Sequence, residues 1–133
     1  MSTGTTASGD VRRAVAASEP ADVEPVIVEA ATLESTAPEY LRAFRADLDE
    51  AGYLPAGLRA EARFAADCSI ETQAETDRLR DLVRAASFLG ASRVEVVADE
   101  VAAPAKVEPA LSALAERAER EGVTLTVTGP VDL

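Results

Sequence analysis

The spacing of hydrophobic positions along the chain switches repeatedly between two residues, which is typical of a strand, and three to four residues, which is typical of a helix. The clearest two-residue alternation covers 58–66 and predicts a strand with one buried and one polar face. Its hydrophobic positions are Leu58, Ala60, Ala62, Phe64 and Ala66. Similar alternation predicts strands at 93–98 and 123–128, and the β-branched run after Pro25 predicts another within 23–33.

Hydrophobic residues at helical spacing predict three helices between these strands. The first covers about 36–51, the second begins between 67 and 72 and ends at 89, and the third includes 110–121. The expected buried residues are Leu41, Phe44, Leu48 and Ala51 in the first helix, Leu79, Leu82, Val83, Ala86 and Leu89 in the second, and Leu111, Leu114, Ala115 and Ala118 in the third.

Side chains that can cap a helix precede the first two helical patterns. Thr36 and Thr72 each stand three residues before a glutamate, which is the spacing of a capping box. Asp67 or Ser69 could cap the second helix instead, since both residue types accept hydrogen bonds from a first-turn N–H. Glycines at 52, 90 and 122 are suitable helix stops.

The remaining segments are predicted as loops or as a terminal tail. Residues 53–57 have the composition of a loop. Pro104 and Pro109 indicate irregular structure just before the third helix. Residues 1–22 are rich in Ser, Thr, Gly and Ala and predict a disordered N-terminal tail. The rest, 23–133, is expected to form a single α/β domain.

The order of these elements is βαβαβαβ, which favours a four-stranded, mostly parallel sheet. Strands that are covered on both faces have almost continuous hydrophobic sequences, whereas three of these strands have polar residues along one face. We therefore expect the three helices on one face, in a two-layer, half-barrel-like fold. If every connection is a right-handed crossover on the same side, the strand order is 1-2-3-4.

The polar face of this predicted sheet is either solvated or in contact with a partner. Its candidate interface residues are Arg59, Arg63, Arg93, Glu95, Thr124 and Thr126. The three arginines could form a cationic patch for an anionic ligand. Alternatively, Glu61 and Glu95 pair with them across the strands.

Charge is the unusual feature of the composition, because 24 acidic residues against 13 basic ones give a net charge of −11. Nucleic acids and anionic lipids would be repelled, so neither is expected as a partner. Lys106 is the single lysine. Acid-rich, lysine-poor composition is consistent with a salt-rich cytoplasm, where salt screens the repulsion, or with an acidic protein of a GC-rich genome.

The absence of histidine excludes Ser-His-Asp and Cys-His catalysis and histidine metal sites. No phosphate-binding or dinucleotide-binding glycine motif is present, and no cofactor is implied. Cys68 is the single cysteine, so it forms no intrachain disulfide. It is either a small buried hydrophobic residue or a nucleophile activated by a helix N-terminus. No segment has the length of a membrane span, and a cytoplasmic location is expected.

Acidic residues recur just after the predicted strands, where a parallel sheet could bring them together as an oxygen site for Mg²⁺ or Mn²⁺. The principal candidates are Asp67, Glu71, Asp99 and Glu100, with Glu34 and Asp132 beside them. Alternatively, an acid-rich chain places such residues everywhere, and helix N-termini attract them.

Two resemblances arise from the helix-to-strand joints. The pattern A-A-S-F-L-G-A-S-R-V-E-V, followed by L-A-E-R-A-E-R-E-G-V-T-L-T-V, resembles the βα units of xylose isomerase-like (β/α) barrels over about 76–128. The chain lacks the histidines of that family's metal sites and is about half as long as a full barrel. The whole chain, with C-S-I-E-T-Q and R-A-A-S-F-L-G-A, resembles small haloarchaeal proteins of unknown function.

These observations favour a non-enzymatic α/β domain that acts by association with itself, as a homodimer, or with another protein. The alternative is a ligand-binding or divalent-metal-binding domain, or an enzyme, derived from an isomerase-like barrel. In that case carboxylates and Cys68 would line the carboxyl edge of the sheet.

Overall fold

The computed structural model describes residues 23–131 and shows four strands and three α-helices in strict alternation. The strands are β1 (Glu24–Glu29), β2 (Tyr53–Phe64), β3 (Arg93–Val101) and β4 (Thr124–Thr128). The helices are α1 (Pro38–Glu50), α2 (Ser69–Leu89) and α3 (Pro104–Arg120), and a single 3-10 turn, Ala30–Thr32, follows β1. The predicted tail at 1–22 and the acidic residue at 132 lie outside the described residues.

The strands form one parallel sheet in the order β1-β2-β3-β4, which confirms the predicted α/β fold and strand order. Leu58 of β2 lies beside Val94 of β3, and Val94 lies beside Leu125 of β4. Leu58 and Val94 are fully buried and Leu125 is 9% exposed. The hydrophobic side chains of these strands therefore line one face of the sheet, as their alternation predicts.

The core lies between this face and the helices. α2 contributes the predicted stripe Leu79, Leu82, Val83, Ala86 and Leu89, all of which are buried. α3 contributes Val107, Leu111, Leu114 and Ala118. In α1 only Leu41 is buried, and Phe44 and Leu48 are half-buried. Ala51 lies just after the helix and is exposed, contrary to its predicted place on the buried face.

The described residues fall into two compact units. One comprises 23–26 and 46–54, where the Glu24 N–H donates to the Gly52 carbonyl at 2.9 Å and Gly52 turns the chain at φ 86°. The other comprises 27–45 and 55–131, and it contains α2, α3, β3 and β4.

The predicted loop at 53–57 was wrong, because β2 already begins at Tyr53. Pro55 and Gly57 made this stretch resemble a turn. Pairing with β3 begins only at Gly57, opposite Arg93, so Pro55 removes no hydrogen bond from that ladder. Proline is tolerated in a strand under this condition.

The predicted caps of α2 were also wrong. The helix begins at Ser69 with Cys68 at the N-cap position, and no side chain caps it there. Thr72 lies one turn inside the helix, and its N–H donates to the Cys68 carbonyl at 3.0 Å. Because that N–H is already bonded within the helix, Thr72 has no capping role.

Two further element ends lie beyond the predicted boundaries. α3 begins at Pro104 and includes Pro109, because the buried stripe extends back to Val107 and proline is well tolerated at a helix start. β3 continues to Val101 through an irregularity: Ala62 lies opposite Ala98, but Arg63 lies opposite Glu100. The two acids at 99 and 100 therefore belong to the strand and not to the loop after it.

Candidate functional site

The face of the sheet opposite the core is named here the open sheet face. Its residues are Ile27, Glu29, Gly57, Arg59, Glu61, Arg63, Arg93, Glu95, Val97, Thr124, Thr126 and Thr128. Cross-strand register places Arg59 beside Glu95 and Glu95 beside Thr126, so all six predicted interface residues share this face. The sequence missed Ile27, because the first strand lacks a clear alternation of hydrophobic and polar residues.

The arginines of the open sheet face each pair with a glutamate. Arg59 lies 3.6 Å from Glu29 and Arg93 lies 3.5 Å from Glu95. Arg63 lies closer to its partner, with its Nη2 donating a hydrogen bond to Glu100 Oε1 at 2.7 Å. The partners differ from the prediction: Arg93 and Glu95 pair along one strand, because residues two apart project from the same face.

Small and uncharged side chains fill the space between these pairs. Gly57 is buried, and a Cβ at that position would lie 3.1 Å from both the Ile27 Cδ1 and the Arg93 carbonyl oxygen. Thr124, Thr126 and Thr128 form an exposed row on the edge strand β4. The open sheet face therefore presents hydroxyls and internally paired charges.

The carboxyl edge of the sheet holds the predicted metal candidates, but ion pairs already engage two of them. Asp67 lies 2.7 Å from Lys106, and Glu100 is paired with Arg63. Glu71 lines a separate depression of about 290 Å³ beside the end of β2. Among residues 23–131 no three acidic or cysteine side chains converge as metal ligands. The divalent-metal site stays a prediction.

The single cysteine lies at the same edge. Cys68 is half-buried at the N-cap position of α2. The nearby Lys106 has its pKa raised by its hydrogen bond and charge interaction with Asp67. The positive charge of Lys106 is therefore paired with the carboxylate of Asp67.

Two side chains of α2 supply hydrogen bonds that a neighbouring strand would otherwise provide. β2 extends well past Arg59, whose partner Glu29 is the last residue of β1. Beyond that point the Arg63 N–H donates to Glu75 Oε2 at 2.9 Å, and Arg78 Nη2 donates to the Glu61 carbonyl at 2.7 Å. Glu75 and Arg78 also pair with each other at 2.9 Å. This pair fixes the end of β2 and its exposed residue Arg63.

We expect Glu75 to make the stability of this edge depend on pH. Its hydrogen bonds from Arg78 and from the Arg63 N–H lower its pKa below the usual glutamate value of about 4.3. The stabilisation is present above that value and is lost as pH falls through the lowered pKa of the folded state. Glu75→Ala should destabilise the protein by about 1–3 kcal/mol at pH 7.

The measurement is urea unfolding at several pH values between 7 and 3, with Glu75→Gln as the matched control. Glutamine can still accept from the Arg63 N–H but carries no charge. The difference in unfolding free energy between wild type and Glu75→Gln should shrink towards zero as pH falls. A difference that does not change over this range would contradict the ionic role of Glu75.

Comparisons with known proteins support the fold assigned above. The chain is similar to a solved structure described as a xylose isomerase domain protein from Planctomyces limnophilus, with a TM-score of 0.61 and 21% sequence identity. The similarity covers 80% of this chain and 45% of that one, so the chain spans less than half of its structural neighbour. At this identity the likeness concerns the fold alone.

A family match assigns the chain more specifically than the structural likeness does. No described helix has both the length and the hydrophobicity needed to cross a bilayer. No curated protein matches the chain. The model of the family "Domain of unknown function (DUF8564)" matches residues 22–127, which is most of the chain, and the protein therefore belongs to that family.

Proposed function

We propose that this protein acts by association through the open sheet face, and that its partner is a second copy of the same chain. The observation that carries the proposal is a parallel sheet whose hydrophobic face is buried by its own helices, while nothing among residues 23–131 covers the opposite face. Parallel sheets in proteins are ordinarily covered on both faces. A surface of this type is therefore a natural place for a partner.

The charge distribution is compatible with association through this surface. The open sheet face, extended by Glu100, carries three arginines against four glutamates, although the whole chain has a net charge of −11. Repulsion between two copies across these faces is therefore small.

The same proposal places the protein in a salt-rich cytoplasm. The excess of acids and the single lysine support this setting. At molar salt the Debye length is about 3 Å, so most repulsion between two acidic chains is screened. Association should accordingly strengthen from low to molar KCl.

Light scattering in molar KCl tests the proposal. The wild-type chain should have twice its monomer mass of 13.9 kDa. Thr126→Arg adds bulk and charge at the open sheet face and should yield the monomer. Ser112→Arg makes a comparable change at an exposed position of α3 and should leave the mass unchanged.

Two results would contradict the proposal. One is a monomeric wild-type chain, both with and without residues 1–22. The other is a dimer that Ser112→Arg disrupts and Thr126→Arg does not, since that dimer would use a helical surface. Circular dichroism of each variant shows whether a lost dimer reflects a lost fold.

A further inference from the structure

We infer that the second copy completes a closed eight-stranded barrel, with β4 of each copy lying beside β1 of the other. This inference rests on the proposed self-association and specifies its geometry. The two open sheet faces would then line one interior. The alternative geometry stacks two open faces as separate layers.

The sheet order is the first reason. β1 and β4 are the two edges of the sheet, and each has one side without a neighbouring strand among the described residues. Exposed strand edges have unpaired backbone N–H and C=O groups, and closure into a barrel removes them. Stacking two sheets face to face would leave all four edges unpaired.

Symmetry gives the second reason. A two-fold axis along the barrel axis carries β1 to the position after β4 without reversing its direction. All eight strands are then parallel, in continuation of the order β1-β2-β3-β4 within each copy. The two seams are identical, as a closed symmetric dimer requires.

The length of the structural neighbour gives the third reason. This chain accounts for 45% of the xylose isomerase domain protein at a TM-score of 0.61. A second copy of the same fold would supply nearly all of the remainder. Two copies of this fold would therefore match the length of that neighbour.

The side chains of the open sheet face suit the interior of a barrel. An eight-stranded barrel has an interior just wide enough for its own side chains to fill. Gly57 is already covered by Ile27 and Arg93, and the threonine row on β4 is short. Arg59 and Arg93 already have partners in Glu29 and Glu95, so closure would bury no unpaired arginine.

Closure would also join the carboxyl edges of the two sheets into one rim of the barrel. The carboxyl ends of all eight strands would meet there, which doubles the set formed by Arg63, Glu100, Asp67 and Lys106. Any ligand site at this rim is therefore shared between the two copies and is incomplete in the monomer.

Barrel geometry predicts the register of the seam. In a closed barrel of this type the strand register shifts by about eight residues over one full circuit, which is the shear. Over the four strands of one copy it therefore shifts by about four residues. The Ile27 Cδ1 lies beside Gly57, and strand register aligns Gly57 with Arg93 and Arg93 with Thr124. An offset of about four residues towards the end of β4 places Ile27 of one copy beside Thr128 of the other.

Disulfide cross-linking tests the seam. Ile27→Cys and Thr128→Cys are made in separate chains, each with Cys68→Ser so that no other thiol is present. The two chains are mixed under reducing conditions in molar KCl and then oxidised. Neighbouring strands lie about 5 Å apart, within the range a disulfide can bridge.

The mixture should give a covalent dimer, and each single chain oxidised alone should not, because equivalent positions lie across the barrel from each other. Thr124→Cys, about 13 Å further along β4, should link to Ile27→Cys much less well. The strongest cross-link should therefore be that between positions 27 and 128.

The other outcomes separate the two proposals. If the mass is that of a dimer but Ile27→Cys links to neither Thr128→Cys nor Thr124→Cys, the barrel is wrong and association through the open face still stands. If Thr128→Cys alone links efficiently, the two β4 edges meet each other and the barrel is also wrong. A monomer would overturn both proposals.

Discussion

A Gly129→Ala variant is expected to lose about 2–5 kcal/mol of unfolding free energy. Gly129 follows β4 and has φ 122°, a conformation that side chains with a Cβ rarely adopt. A Cβ added there would overlap the carbonyl oxygen of Ala98 in β3, which is backbone and cannot rotate away. Either β4 must shift or the turn after it must open.

Gly122→Ala is the matched control for this prediction. Gly122 also has a positive φ, 79°, but a Cβ there has no neighbouring atom within 4 Å. Its substitution should cost only the backbone term of about 1–2 kcal/mol. Chemical denaturation at one fixed protein concentration measures both variants, since association makes apparent stability concentration-dependent. Equal losses would show that contact with Ala98 contributes nothing.

Leu58→Ala is expected to destabilise the protein by about 2–5 kcal/mol, through lost hydrophobic burial and the cavity that remains. Leu58 has no exposed surface and lies in β2, opposite the fully buried Val94 of β3. The surrounding strand and helices can close such a space only in part. The free energy of unfolding from urea titration measures the loss.

Leu54→Ala makes the same chemical change on the same strand. Leu54 is 48% exposed, so its truncation removes little buried surface and should change stability by less than about 1 kcal/mol. Comparable losses at the two positions would mean that position 58 is not at the centre of the core. The pair thus tests the buried face of the sheet directly.

Local patterns were sufficient to predict the alternation of strands and helices. The stripe of α2, from Leu79 to Leu89, is buried as its spacing indicates. Strand faces followed in the same way, because a period of two places Val94 and Val96 on one side and Glu95 on the other. The polar alternate positions also indicated that helices cover a single face.

The exact element ends could not be predicted, because they depend on what lies beside each segment. Pro55 looked like a loop residue, yet it is acceptable in β2 since the ladder with β3 begins after it. Thr72 looked like a cap, but α2 starts one turn earlier. The first of these outcomes was decided by pairing with β3, which is distant in sequence.

The candidate site likewise combines features that the sequence predicted with features that it did not. The sequence placed Arg59, Arg63 and Arg93 on a common face, but their partners Glu29, Glu100 and Glu95 depend on register and on the irregularity after Ala62. The replacement of strand hydrogen bonds by Glu75 and Arg78 was likewise not predictable. An (i, i+3) ion pair on a helix is too common to indicate such a role.

The sequence by itself determined the fold class and the buried face of each principal strand and helix. These follow from periodicity, which is a local property of the chain. Tertiary structure decided the register, the ion-pair partners and the close approach of Gly129 to Ala98. Those features depend on distances of a few ångströms between segments far apart in sequence, and no local pattern encodes them.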